Sequence, residues 1–256
     1  MAQHGLNNTI KFSKKKYITI FFYRHVIIRK MKNFIAASII AADFWNLEKE
    51  FKKLKRTKIH WIHYDIMDGH YVPNITIGSC ELDSLVKKNT TPIDIHFMVS
   101  NPDEIVPFFV KKYKNLNIVN ITVHLEVCRN IEKLSRLVRK SGMSFGLAVH
   151  PSTPINKIYR FLKFLDLALV MTVKPGFAGQ AIIKSCIKKV TLLKSYMDKK
   201  NISIPIQVDG GIKSDNISEL TKAGANIIVS GTGIFNTNDY KKTVDGMMKS
   251  FARVSS

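Results

Sequence analysis

Short apolar runs alternate with amphipathic stretches along most of this chain. From residue 33 onward, apolar runs over 34–40, 60–66, 93–99, 118–125, 144–149, 167–173, 204–208 and 227–230 predict strands. Between them, apolar residues recur three and four apart, the mark of a helix with one buried face. The first predicted helix follows Asp43 and carries Leu47, Phe51 and Leu54 on one face. Others are predicted over 81–88, 103–112, 130–140, 153–162, 181–199, 214–223 and 239–248. Local punctuation supports several of these. Asp43 is a residue type that caps a helix N-terminus, and Gly224 is the type that closes a C-terminus. The strands are apolar on both faces, as parallel strands covered by helices must be. Eight strand–helix units in about 220 residues are the count and size of a (β/α)8 barrel. The predicted class is therefore α/β, with a single TIM barrel over 33–256. A doubly wound sheet would need fewer strands, and no GxGxxG motif opens the first helix.

Polar residues break the pattern at one end of the strands. Ser38 lies in the first, His63 and Asp65 in the second, and Asp94 and His96 in the third. His124, then Glu126, follow in the fourth, Asp209 follows the seventh, and Ser230 ends the eighth. In a barrel these ends converge on one face, where active sites are built. Residues two apart on a strand point the same way, so His63 pairs with Asp65 and Asp94 with His96. Any one of them is explicable as a hydrogen-bonded strand-end residue. Several converging on one interior are harder to assign to packing, because buried unpaired polar groups are costly. His63, Asp65, His96 and Asp209 together offer a mixed nitrogen and oxygen ligand set. It suits one divalent metal ion, zinc first, with iron, manganese or cobalt admitted by the same donors.

Glycine-rich segments follow three successive strands: Lys174-Pro-Gly-Phe-Ala-Gly-Gln180, Asp209-Gly-Gly211 and Gly231-Thr-Gly233. Glycine lets backbone amides approach an anion closely and form a nest. A short helical turn after Gly231 would add its N-terminus. Barrels often hold phosphate after strands seven and eight, so a phosphorylated small molecule is the expected substrate. Asp43, Asn74 and Gln180 are read either as substrate-positioning groups or as cap and loop residues. Met67, Met98 and Met171, near strand ends, fit core filler as readily as a functional wall.

Composition changes the picture in three places. Three scattered cysteines (Cys80, Cys128, Cys186) with no CxxC exclude a disulfide scaffold and a thiolate zinc site. They suit a reducing, cytoplasmic setting. No apolar run approaches the ~18 residues of a membrane helix, and the best candidate, 17–28, is broken by Arg24 and His25. The formal net charge is +21. Residues 1–32 hold eight basic residues and no acid, and the rest of the excess is spread over predicted helices. Diffuse charge reports a solvated surface more than a partner, so neither nucleic acid nor membrane is expected as one. Residues 1–32 read as a basic extension, either a targeting or disordered appendage or a consequence of Met31 being the true start.

Four segments carry a family resemblance. Trp61-Ile-His-Tyr-Asp-Ile-Met-Asp-Gly-His-Tyr-Val-Pro-Asn-Ile-Thr-Ile-Gly-Ser79 resembles the strand-2 signature of ribulose-phosphate 3-epimerases. Asp94-Ile-His-Phe-Met-Val-Ser100, Met171-Thr-Val-Lys-Pro-Gly-Phe-Ala-Gly-Gln180 and Val208-Asp-Gly-Gly-Ile212 are similar to further signatures of that family, in order along 34–250. The resemblance implies a ribulose-phosphate-binding barrel and an isomerase. Its expected reaction interconverts D-ribulose 5-phosphate and D-xylulose 5-phosphate in the non-oxidative pentose phosphate pathway. It implies that His63, Asp65, His96 and Asp209 bind one divalent metal per subunit, with Asp65 and Asp209 as the acid–base pair. Ser38 and His96 would contact substrate. Gly176, Phe177, Ala178, Gly179, Gly210, Gly211, Gly231 and Thr232 would line the phosphate side. Met67, Met98 and Met171 would flank the reacting carbons. A homodimer or homohexamer is also implied. The sequence departs from the family pattern at Ala37 (usually proline), Ala178 (commonly glycine), Thr232 (usually serine) and in residues 1–32, which have no counterpart.

The implied chemistry needs those residues. The C3 proton of a 2-ketose lies α to the carbonyl, and its loss gives a 2,3-enediolate. One base on one face cannot both remove that proton and return one to the other face, whereas two carboxylates from separate strands can. An epimerase for a hexulose phosphate would share every motif. A decarboxylase or synthase on a similar barrel would not need the paired aspartates. A basic binding protein gripping an anionic partner through residues 11–32 would predict steeply salt-dependent binding.

Overall fold

Parallel strands that are apolar on both faces need cover from both sides, and a closed barrel ringed by helices supplies it. The structure, a computed structural model, describes residues 33–252. Its elements run β1 (Phe34–Ser38), α1 (Leu47–Leu54), β2 (Trp61–Met67), α2 (Ser79–Lys88), β3 (Ile93–Met98), α3 (Pro102–Tyr113), β4 (Ile118–His124) and α4 (Ile131–Lys140). They continue with β5 (Ser144–Val149), a 3₁₀ helix (Ile155–Phe164), β6 (Leu167–Met171), α5 (Lys184–Lys199), β7 (Ile206–Asp209), α6 (Ile217–Lys222), β8 (Ile227–Ser230), α7 (Thr232–Phe235) and α8 (Tyr240–Ala252). The eight strands are parallel and close in sequence order, β8 pairing back to β1. This is a (β/α)8 TIM barrel.

Two cores follow from the strand alternation. Outward-facing residues such as Ile62, Tyr64, Ile95 and Phe97 pack under the helices, against Leu82, Val106 and Leu134 among others. Helix α4 shows the logic locally: Asn130 caps it by accepting from the Lys133 amide at 3.1 Å. Its Ile131, Leu134, Ser135 and Val138 form the buried stripe. Each fully buried aliphatic side chain contributes about 1.5–3 kcal/mol relative to exposure. Inside the barrel, Ala36, Trp61, Ala148, Leu167, Leu169, Met171, Ile227 and Val229 form an apolar cluster. Polar residues wholly buried inside the barrel include His63, Asp94, His96, Asn120, Thr122 and Gln207. This polar half underlies the site described below.

Element ends differ from expectation where side chains or prolines intervene. Asp43 caps a 3₁₀ turn over Phe44–Asn46, accepting from the Trp45 amide at 3.0 Å, and not α1 itself. Of the predicted face of α1, only Leu54 is buried. The element expected over 153–162 is a 3₁₀ helix over 155–164. Pro154 lacks an N–H and holds the entry extended, and Ile155 and Ile158, three apart, face the core. Strand β6 stops at Met171 because the Thr172 hydroxyl turns to the carbonyls of Asp209 and Gly210, at 2.8 and 2.6 Å. Strand β7 starts after Pro205, which has no donor for the ladder, and extends to include Asp209. The predicted extension 1–32 lies outside the described residues. Among the described residues, no helix is long and apolar enough to cross a membrane.

Candidate active site

Strand register assembles the site. Parallel pairing sets His63 beside Asp94 and Asp65 beside His96 on β2 and β3, while β1 sets Ser38 beside His63. Residues matched in this way point to the same face, here the barrel interior. Asp209 arrives from the end of β7. One donor atom from each of His63, Asp65, His96 and Asp209 lies within 4.8 Å of the others, and three of the four residues are buried.

The geometry within this cluster is tight. His63 Nε2 is 3.3 Å from Asp65 Oδ1 and 3.7 Å from Asp209 Oδ2. His96 Nδ1 is 3.1 Å from Asp65 Oδ1 and 3.7 Å from Asp209 Oδ2. Ligands held 2.0–2.2 Å from a tetrahedral ion stand about 3.3–3.6 Å apart, so these spacings fit a single metal ion. His63 Nε2 is buried and makes no hydrogen bond, as an atom reserved for a metal would be. The donor set of two imidazoles and two carboxylates suits zinc, manganese, iron or cobalt.

Electrostatics point the same way. Burial opposes a charge on His63, but the carboxylates of Asp65 and Asp94 outweigh it and raise its pKa well above the ordinary imidazole value. The pocket therefore attracts positive charge, and a metal ion would compete there with a proton. Burial also opposes the charge of Asp65, but His63 and His96 overcome this and hold the carboxyl below the usual carboxylate range. At Asp209 burial prevails over His63, and with Asp65 nearby its pKa is pushed up to about 6. Asp209 thus holds a proton more readily than Asp65 does.

A hydrogen-bonded chain leads away from the cluster. His96 Nε2 is 2.9 Å from His124 Nε2, and His124 Nδ1 is 2.8 Å from the Tyr71 hydroxyl. Tyr71 donates to Glu126 at 3.4 Å, and Glu126 accepts from the His150 amide at 3.0 Å. Burial pulls the His124 pKa down to about 4, so this imidazole stays neutral.

Above the cluster a cleft opens at the C-terminal ends of the strands. Ser38, Asp65, Asp209, Gly210, Gly211 and Thr232 are among its lining residues.

Comparison with known proteins follows this geometry. The Ribulose-phosphate 3 epimerase family matches residues 34–235. The chain is 39% identical over 219 residues to the ribulose-phosphate 3-epimerase of Buchnera aphidicola subsp. Acyrthosiphon pisum, covering 85% of this chain and 94% of that one. It is 40% identical over 205 residues to that of Aquifex aeolicus, covering 80% and 90%. With that of Escherichia coli K12 it shares 38% over 222 residues, covering 86% and 97%.

The chain belongs to the ribulose-phosphate 3-epimerase family. It is thus an isomerase, and its barrel carries an epimerase site. Among solved structures, 3-hexulose-6-phosphate synthase from Salmonella typhimurium matches with a TM-score of 0.62 at 14% identity, covering 88% of this chain and 100% of that one. That likeness concerns the barrel fold alone.

In this epimerase the expected site residues converge. Ser38, Asp65, Met67, Met98, Met171, Gly176, Phe177, Ala178, Gly179, Asp209, Gly210, Gly211, Gly231 and Thr232 all line the cleft. His63 and His96 lie beneath its floor, fully buried. Ser38 donates to Asp65 Oδ2 at 2.7 Å. The short helix α7 starts directly after Gly231. Asn74 and Gln180 have loop partners. Asn74 donates to the Gly176 carbonyl at 2.8 Å, and Gln180 to those of Lys174 and Phe177 at 2.6 and 2.9 Å. Ile40, Val173 and Pro175 also line the cleft without having been singled out. Gln207 and Tyr71 were missed as well. Gln207 is two residues before Asp209 on one strand, a spacing that does place it on the inner face.

Proposed function

We propose that the cleft epimerises C3 of a ketopentose 5-phosphate, interconverting D-ribulose 5-phosphate and D-xylulose 5-phosphate. One observation carries this reading. Two carboxylates, Asp65 buried on β2 and Asp209 partly buried at the end of β7, meet at the cleft floor, with Asp65 held below the usual carboxylate range and Asp209 pushed above it. Paired acid and base groups in such opposed environments are what two-sided proton transfer requires. In this reading Asp65 takes the C3 proton, and Asp209, the more readily protonated of the two, returns one to the opposite face. In the reverse direction the roles exchange. Ser38 holds Asp65 in position by donating to its Oδ2 at 2.7 Å. Met67, Met98 and Met171, buried at the cleft wall, limit water near the enediolate.

A divalent cation held by His63, Asp65, His96 and Asp209 would supply positive charge beside the oxygens where negative charge develops. The glycine loops after β6, β7 and β8 would anchor the phosphate through backbone amides. Binding there helps orient C3 against the carboxylates. Gly211 is the sharpest requirement. Its φ is +68°, and a Cβ would come within 2.6 Å of the Ile182 amide nitrogen and 2.9 Å of the Gln180 carbonyl oxygen. Backbone on both sides leaves no room to yield. Gly211→Ala is expected to raise KM on the order of tenfold or more, since displaced amides weaken phosphate anchoring. Strain of about 1–3 kcal/mol should also lower the melting temperature by several degrees. Steady-state kinetics and thermal unfolding check both.

The substrate is tested directly. Incubated with D-ribulose 5-phosphate, the metal-loaded protein is expected to produce D-xylulose 5-phosphate up to equilibrium. Inertness toward the pentulose together with turnover of a hexulose 6-phosphate would move the substrate to the longer sugars.

A further inference from the structure

We propose that Asp94 is a positioning residue, which fixes His63 from beneath so that its Nε2 is presented to the four-donor cluster. The inference rests on the metal reading above and extends it to a residue that lines no part of the cleft.

Asp94 is completely buried inside the barrel. Its Oδ2 lies 2.8 Å from His63 Nδ1 and accepts from Gln207 Nε2 at 2.7 Å. Its Oδ1 accepts from Asn120 Nδ2 at 2.7 Å. The amide of Asn120 is steadied in turn by Thr122 Oγ1 at 2.9 Å. Residues from β2, β4 and β7 therefore converge on the one carboxylate that β3 supplies. Burying a charge for packing alone is unfavourable, because an apolar residue of similar volume fills the space without desolvation. The charge needs a purpose, and the titratable group it touches is His63.

The two nitrogens of an imidazole lie on opposite sides of one rigid ring. Holding Nδ1 against Asp94 thus sets the direction of Nε2, which faces Asp65 and Asp209 at 3.3 and 3.7 Å. A carboxylate behind the ring also keeps the proton on Nδ1 and makes Nε2 a stronger donor to a metal. The β2–β3 register that sets Asp94 beside His63 is what makes this support available.

Zinc affinity of metal-stripped protein, measured by competition with a chromophoric chelator, tests the proposal. Asp94→Asn is expected to weaken zinc binding on the order of 10–100-fold. In a His63→Ala background the same substitution should change affinity little, because Asp94 acts through His63. Equal zinc affinity with and without Asp94→Asn would overturn the proposal, and so would a full effect persisting in His63→Ala. Should Asp94→Asn fail to fold, nitrogen-15 NMR of the unsubstituted zinc-loaded chain decides. His63 is expected to be protonated at Nδ1 and to bind through Nε2, and binding through Nδ1 would overturn the assignment. No zinc binding by the unsubstituted chain would overturn the metal reading and this inference with it, whereas binding insensitive to Asp94→Asn would overturn this inference alone.

Discussion

Replacing Asp209 with asparagine is expected to lower the epimerisation rate on the order of 10²–10⁴-fold, the range for a general acid–base group. The amide keeps the shape of the carboxyl but carries no transferable proton. Asp209 is at the rim of the barrel, with its side chain 14% exposed, and it is no member of the apolar cores. The variant should therefore keep its far-ultraviolet circular dichroism and most of its melting temperature. Asp65→Asn should lose at least as much activity, because Asp65 also accepts from Ser38 at 2.7 Å and an amide offers one acceptor oxygen where the carboxylate offers two. Activity near that of the unsubstituted chain in either variant would remove that aspartate from the proton-transfer pair.

Removing the metal is expected to be as damaging. Asp65 and Asp209 share one cluster with two imidazoles, Asp94 lies behind His63, and carboxylates withdrawn from water need compensating positive charge. After treatment with a strong chelator, activity should fall to background and return with zinc, manganese, iron or cobalt. Stability should follow. A ligand present at 1,000 times its Kd stabilises by about 4 kcal/mol. For a domain of this size that amounts to a rise in melting temperature on the order of 10 °C. Full activity in protein shown by elemental analysis to hold no metal would contradict the ligand assignment for His63, Asp65, His96 and Asp209.

The barrel was legible because buried parallel strands leave long apolar runs, with proline and glycine marking their limits. Errors fell where a local hydrogen bond or a missing donor decides an end, as at Thr172, Pro154 and Pro205. Spacing of two along β2 and β3 revealed which polar residues share a face. It could not reveal cross-strand register, which sets His63 against Asp94 and Asp65 against His96. For the same reason the contacts of His124 with His96 and of Gln207 with Asp94 were invisible. They join residues 28 and 113 positions apart in the chain; pairing of β3 with β4 brings the first pair together, and closure of the barrel the second. The glycine loops were readable by composition, but the positive φ of Gly211 and the backbone pressed against it were not.

The central claim is that Asp65 and Asp209 transfer the C3 proton from opposite faces. Its most direct test follows D-ribulose 5-phosphate by NMR in D₂O with the metal-loaded protein and with the Asp65→Asn and Asp209→Asn variants. The account predicts D-xylulose 5-phosphate carrying deuterium at C3, with formation lost in both variants. Epimerised product from either variant at an undiminished rate, or no exchange at C3 by the unsubstituted enzyme, would contradict it.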